Sequence, residues 1–293
     1  MSAIPSGSAE QVIGVTVLVA TGFGLGWVNV GADYSRYLPR RSSGAAVVWW
    51  TTFGASIAPL FLLTFGLLLA GSSKNLLTAI NTDPIGALAT ILPTWYLVPF
   101  VIVAVLGLVG GAVLDIYSSG LTLLAAGLRV PRWSAALIDG VLMIAGTIYV
   151  VFFSSNFIGP FEGFLITLGV PISAWCGVML ADILLRRSAY SDADLFSSSG
   201  RYGSIRWVPA ILLVAGTVVG WGLVTNSYAS WLSWQGYLLG PFGLGGKTGT
   251  WEFANLGVIV ALVVAFVGWL AFGRASIRRQ EAVPAAPETV TAG

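Results

Sequence analysis

Seven apolar runs of about twenty residues or more follow one another through this chain, joined by mostly short polar links, and that succession limits its fold more than any motif. The runs cover about 11–30, 46–71, 97–128, 134–153, 160–185, 207–225 and 253–272. A helix of about 20 apolar residues crosses the roughly 30 Å hydrocarbon core of a bilayer. Only 9% of the residues are charged, against roughly 25% in soluble domains. The chain therefore reads as an all-α integral membrane protein with about seven transmembrane helices.

The basic residues support that reading. Arg36, Arg40 and Arg41 follow the first run, Arg129 and Arg132 the third, Arg186, Arg187, Arg201 and Arg206 the fifth, and Arg274, Arg278 and Arg279 the seventh. Only Lys74 and Lys247 fall on the other side, so a missed or extra span would scramble the partition. The positive-inside rule makes the arginine side cytoplasmic. It predicts a multi-pass protein of the plasma membrane with its N-terminus outside and its C-terminus inside.

Histidine is absent and Cys176 is the single cysteine. The usual transition-metal and nucleophile-base sets need those residue types, so the reading is not an enzyme, with no cofactor and no metal. The basic residues sit at span ends rather than in one patch, which argues against nucleic acid. A retinal-type seven-span protein needs a lysine within a span, and both lysines lie in links. A signalling receptor predicts no glycine-broken first helix.

Two stretches stand out. Residues 22–41, GFGLGWVNVGADYSRYLPRR, carry Gly22, Gly24, Gly26 and Gly31 at the end of the first run. Each glycine costs a helix interior roughly 1 kcal/mol, which suggests backbone that unwinds towards a ligand. Such backbone survives in a membrane only where protein or a water-filled cavity satisfies it. Close helix packing is the alternative use of small residues, and the glycines alone do not decide. Phe23 and Trp27 lie in this stretch, where an aromatic face can stack on a flat ligand.

The second stretch is LGLVGGAVLDIYSSGLTLL in the third run, with Asp115 far from either end. An ionisable group at that depth is expensive and marks function by default, with a purely structural partner as the alternative. Asp33 reads as fixing the loop among its arginines. Asp182, four residues before Arg186, reads as an ion pair at a helix end. Residues 188–206 form the one long polar loop, expected to be exposed, and 274–293 a polar, disordered cytoplasmic tail. Residues 1–10 form a short N-terminal segment.

GADYSRYLPR, LDIYSSGLTLL and FLITLGVPISAWCGVMLADILLRR together resemble the nucleobase:cation symporter-1 family, most closely its purine-cytosine permease branch. That resemblance covers nearly the whole chain. It implies helices six to twelve of a twelve-helix carrier: the second five-helix inverted repeat of the APC/LeuT-type fold over 11–187, two additional helices over 207–273, and an absent first repeat. It further implies a nucleobase substrate held by Phe23, Gly24 and Trp27 on the broken helix and by Asp115 opposite. Sodium-coupled relatives place hydroxyl ligands where this chain has Leu106, Val109 and Gly110, so the expected coupling cation is a proton rather than sodium. Expected partners are the nucleobase, that cation, the lipid bilayer, and a separate first-repeat half or a second copy. The alternative reading is a truncated membrane protein that does not transport.

Overall fold

A computed structural model describes residues 6–39, 41–127, 129–154, 158–195 and 197–284. Arg40, residues 1–5 and the end of the expected tail, 285–293, lie outside the described residues. All regular structure among the described residues is helical. Five helices are long and apolar enough to cross a membrane, and a bent pair raises that to as many as six. The described residues divide into two compact units, residues 30–161 and residues 7–29 with 162–284.

Helix α1, Ala9–Val28, opens the second unit. Ser8 caps it: the Ser8 hydroxyl accepts from the Gln11 amide, and the Gln11 side chain accepts from the Ser8 amide, satisfying two of the free donors of a helix start. The expected unwinding is not what the glycines produce. Residues Thr21–Leu25 form a π-helical turn, in which the Gly26 amide reaches back five residues to the Thr21 carbonyl. The backbone stays helical and bonded, with one residue too many in the turn, a form often found at functional sites.

The first unit begins with the short helix α2, Gly31–Ser35. Helix α3, Gly44–Ala70, follows and is capped by Ser43. The polar link after it folds as two helices, α4, Lys74–Thr82, and α5, Pro84–Ile91. Asp83 caps α5 by accepting from the Gly86 amide at 2.9 Å, with Pro84 in the first helical position, where its missing N–H costs nothing. Helices α6, Thr94–Ala125, and α7, Arg132–Phe153, pack against each other.

The second unit resumes in helix α8, Ile158–Leu185, whose residues from Glu162 onward belong to it. A single turn, α9, Asp192–Leu195, precedes helix α10, Trp207–Trp221. Helix α11, Leu256–Phe272, meets α12, Arg274–Ala282, at a 55° bend. The sequence of α12, RASIRRQEA, is polar, so the bend turns the chain off an apolar helix onto a charged one. At fifteen residues α10 is about 22 Å long, shorter than the roughly 30 Å expected of a full span.

Helices α10 and α11 form the tightest seam of this unit. Gly216 and Gly220 on α10 face Gly257, Ala261 and Ala265 on α11, small residues four apart on both helices. A side chain at Gly257 would fall on the Gly220 carbonyl. This is the close backbone approach that small residues permit in membranes. Around it lies one core of Val17, Ile166, Val170, Ala174, Val224 and Val258.

Candidate functional site

The four residues singled out in the sequence fall in both units. Phe23, Gly24 and Trp27 belong to the second, Asp115 to the first. Phe23 and Trp27 stand one turn apart on α1, 51% and 43% exposed. Gly24 is turned to a cleft of about 360 Å³ walled by Ala20, Thr21, Val28, Ser173, Val258 and Ile259, among others. A Cβ on Gly24 would meet nothing within 4 Å, so this glycine, unlike those of α10 and α11, is not explained by close packing.

That cleft is apolar in its chemistry. The Thr21 hydroxyl donates to the Val17 carbonyl at 2.7 Å and the Ser173 hydroxyl to the Val258 carbonyl at 2.7 Å. Both donors are already used, so the cleft offers a flat aromatic ring van der Waals surface and little hydrogen bonding. A second cleft of about 280 Å³ is lined by Gln11, Glu162, Thr225, Tyr228 and Asn255, among others, and is the more polar of the two.

Asp115 lies on an exposed face of α6. Gly107, Gly110 and Gly111, one to two turns earlier, likewise have nothing within 4 Å of an added Cβ. Directly beside Asp115 the two stretches that stood out in the sequence meet. The Tyr34 hydroxyl donates to the Leu114 carbonyl at 3.4 Å and pairs with the Ser118 hydroxyl at 3.2 Å. The Tyr37 and Tyr117 hydroxyls pair at 2.7 Å. The segment ADYSRY is thereby stapled to α6 on either side of the carboxylate's turn. Tyr34 and Tyr37 are three apart, as are residues on one helix face, and that spacing was the signal available in the sequence. Asp33 makes no ion pair among the described residues, so its expected loop-fixing role falls to the tyrosines.

The basic end of the second unit carries a network that sequence reasoning reduced to one pair. Asp182 accepts from Arg186 Nε at 2.7 Å, as the spacing predicts. It also accepts from the Tyr190 hydroxyl at 2.5 Å and from Trp269 Nε1 at 3.0 Å. Arg206 approaches the same carboxylate at 3.6 Å. Arg186 continues to Gln280 at 2.9 Å, and Glu281 accepts from the Arg187 and Ser188 amides at 2.7 and 3.0 Å.

Burial alone would lower the Arg186 pKa, but the bonds to Asp182 and Tyr190 outweigh it and raise it. Burial pushes Tyr190 up and Arg206 down. The amides of Arg187 and Ser188 hold Glu281 below the usual carboxylate range. The 188–206 loop is accordingly not the exposed strand of polar chain expected. Tyr202 and Asp194 are buried, and Arg201 pairs with Asp194 at 3.1 Å.

Comparison with known proteins shows the family of the chain. The model of the family described as permease for cytosine/purines, uracil, thiamine, allantoin matches residues 2–240. "Putative purine-cytosine permease YxlA" of Bacillus subtilis (strain 168) is 25% identical over 232 residues, which make up 77% of this chain and 50% of the relative. The chain thus spans about half the length of that relative. No solved structure matches it significantly.

Proposed function

Because the chain belongs to the family of permeases for cytosine/purines, uracil, thiamine and allantoin, we propose that it acts as, or as part of, a secondary transporter importing purine and pyrimidine nucleobases such as cytosine. The observation that carries this reading is the match over residues 2–240. The stapling of ADYSRY onto the Asp115 turn of α6 supports it from within the chain.

In this reading Phe23 and Trp27 stack on the flat base, Gly24 lets it approach the helix backbone, and Asp115 hydrogen-bonds its ring. The fold is the second inverted repeat of a LeuT-type carrier with two further helices, seven spans in all, N-terminus outside. Coupling is to protons: a sodium ion needs oxygen ligands, and Leu106, Val109 and Gly110 offer no side-chain oxygen on α6. Asp115 is the carboxylate through which the proton acts in this reading. The test is uptake of labelled cytosine, adenine and hypoxanthine by transporter-deficient cells. Saturable, sodium-independent uptake lost in Asp115→Asn is expected. Uptake that requires sodium and persists in Asp115→Asn would sink proton coupling through this residue.

A second reading is a membrane protein that no longer transports alone, or a half-carrier subunit that needs a separate first repeat or a second copy. What favours it is that the most apolar windows of α3 and α6 bury nothing within the described chain. Absence of uptake from protein demonstrably in the membrane, restored by co-expressing a first-repeat half, supports it.

A further inference from the structure

At the basic end of the second unit a groove of about 440 Å³ runs between α8 and α10. On α8 it is bounded by Trp175, Val178, Met179 and Asp182, and opposite by Arg206, which precedes the first turn of α10, and by Pro209, Ala210 and Leu213 of α10. Each set spans eight residues, about two helical turns or 10 Å. The two sets run in opposite directions, so the polar groups, Asp182 and Arg206, gather at one end and Trp175 and Leu213 at the other. The groove therefore has a charged head and an apolar body.

The head carries surplus positive charge. One carboxylate, Asp182, lies between two guanidiniums, and Arg186 holds the short contact at 2.7 Å. Arg206 stands off at 3.6 Å, beyond a hydrogen bond, lies over the Trp269 ring at 4.9 Å, and donates to Ser276 at 3.3 Å. A guanidinium has five N–H donors, and among the described residues Ser276 and, at longer range, Asp182 are what they meet. Tyr190, the other titratable group at the head, is spent on Asp182. Arg187, Arg274, Arg278 and Arg279 add positive charge at the same end of the unit, against the one carboxylate of Glu281. Trp207, next to Arg206, is 69% exposed, as befits the headgroup level.

We propose that this groove holds one anionic phospholipid, its phosphate on Arg206 and an acyl chain along Val178, Met179, Ala210 and Leu213. A phosphate completes the donors that Asp182 leaves free, in the planar geometry a guanidinium offers such groups. The acyl chain covers apolar groove wall that the fold leaves open. A lipid seated here bridges α8 and α10 beside the bend into α12, and so acts on the element that ties Arg186 and Arg206 to Gln280 and Ser276.

The test is native mass spectrometry of the full chain released from micelles containing phosphatidylglycerol and phosphatidylcholine of matched acyl chains, with glycerol 3-phosphate as the soluble phosphate. One tightly retained phosphatidylglycerol is expected, favoured over phosphatidylcholine by tenfold or more and not displaced by glycerol 3-phosphate. Arg206→Gln should bring that preference close to one. Ala210→Trp, which fills the groove from an exposed position and keeps every charge, should abolish retention as well. Arg279→Gln, on the exposed face of α12, should leave it intact. Equal losses from Arg206→Gln and Arg279→Gln, or retention undisturbed by Ala210→Trp, would mean diffuse surface attraction and overturn the site. Displacement by glycerol 3-phosphate would overturn the lipid as its occupant.

Discussion

The two units are both built from oily helices and keep themselves together in opposite ways. In the first, the most apolar window of α6 reaches a mean hydropathy of 2.7, yet none of it is buried within the chain. In the second, the corresponding window of α8 reaches only 1.9, yet half of it is buried. Hydropathy therefore reports which surface tolerates lipid, and not which surface meets protein. Contact follows the small residues instead: Gly177, Gly216, Gly220 and Gly257 sit against backbone or side chains, whereas Gly54, Gly66, Gly107 and Gly110 meet nothing. With lipid as apolar as leucine, helices gain by close approach rather than by hiding oil.

The sharpest way to break this contrast is to add the same side chain to one glycine of each kind. Gly257→Val forces α11 off α10 and should cost about 3 kcal/mol, the upper part of the usual range for overpacking. Gly54→Val should shift the thermal unfolding midpoint in detergent hardly at all. Comparable losses from both would show that α3 is packed after all.

Removing one carboxylate from each unit gives a comparable or slightly smaller contrast. Asp182→Ala strands Arg186, whose side chain is 5% exposed, and breaking such a buried pair costs about 3–5 kcal/mol. That figure is an upper bound here, because Arg186 keeps its bond to Gln280. Asp115→Ala should change stability by less than about 0.5 kcal/mol, the ordinary range for exposed positions. Urea or thermal unfolding of the pair checks it.

A smaller effect is expected from Tyr37→Phe, which deletes the exposed hydroxyl pair with Tyr117. Hydrogen exchange should quicken in 31–39 while α10 and α11 stay protected. The mildest probe is pH. Glu281 has its folded pKa lowered, so its contribution is complete above the ordinary carboxylate range and fades as pH falls through the lowered value. Protection of the Arg187 and Ser188 amides should decline over that acid window and persist at all pH values above it. In Glu281→Gln it should be lower and flat.

Helix positions were legible because each apolar run is long and its ends are marked by Ser8, Ser43, Asp83 and the prolines at 93 and 131. The motifs ADYSRY and LDIYSS were legible as motifs, and their contact was latent in the spacing of Tyr34 and Tyr37. What could not be read was which glycines pack, although GTVVG on α10 and the Gly257, Ala261, Ala265 ladder on α11 hold the signal. The Asp182 hub was hidden for another reason. Its further partners Tyr190, Arg206 and Trp269 come from three separate segments, and only Arg186 lies within a helical turn of it.

The π turn at Thr21–Leu25 has a consequence for direction. A surplus residue in a helix resembles a dislocation in a crystal: one lattice ends there and another, rotated, begins. Each residue turns the helix by about 100°, so the turn sets which way Phe23 and Trp27 look relative to the stripe of Val17 and Thr21 that anchors the helix in its core. In this segment length encodes aim. Deleting Gly22 would leave the helix in place and swing its aromatic pair to a different side.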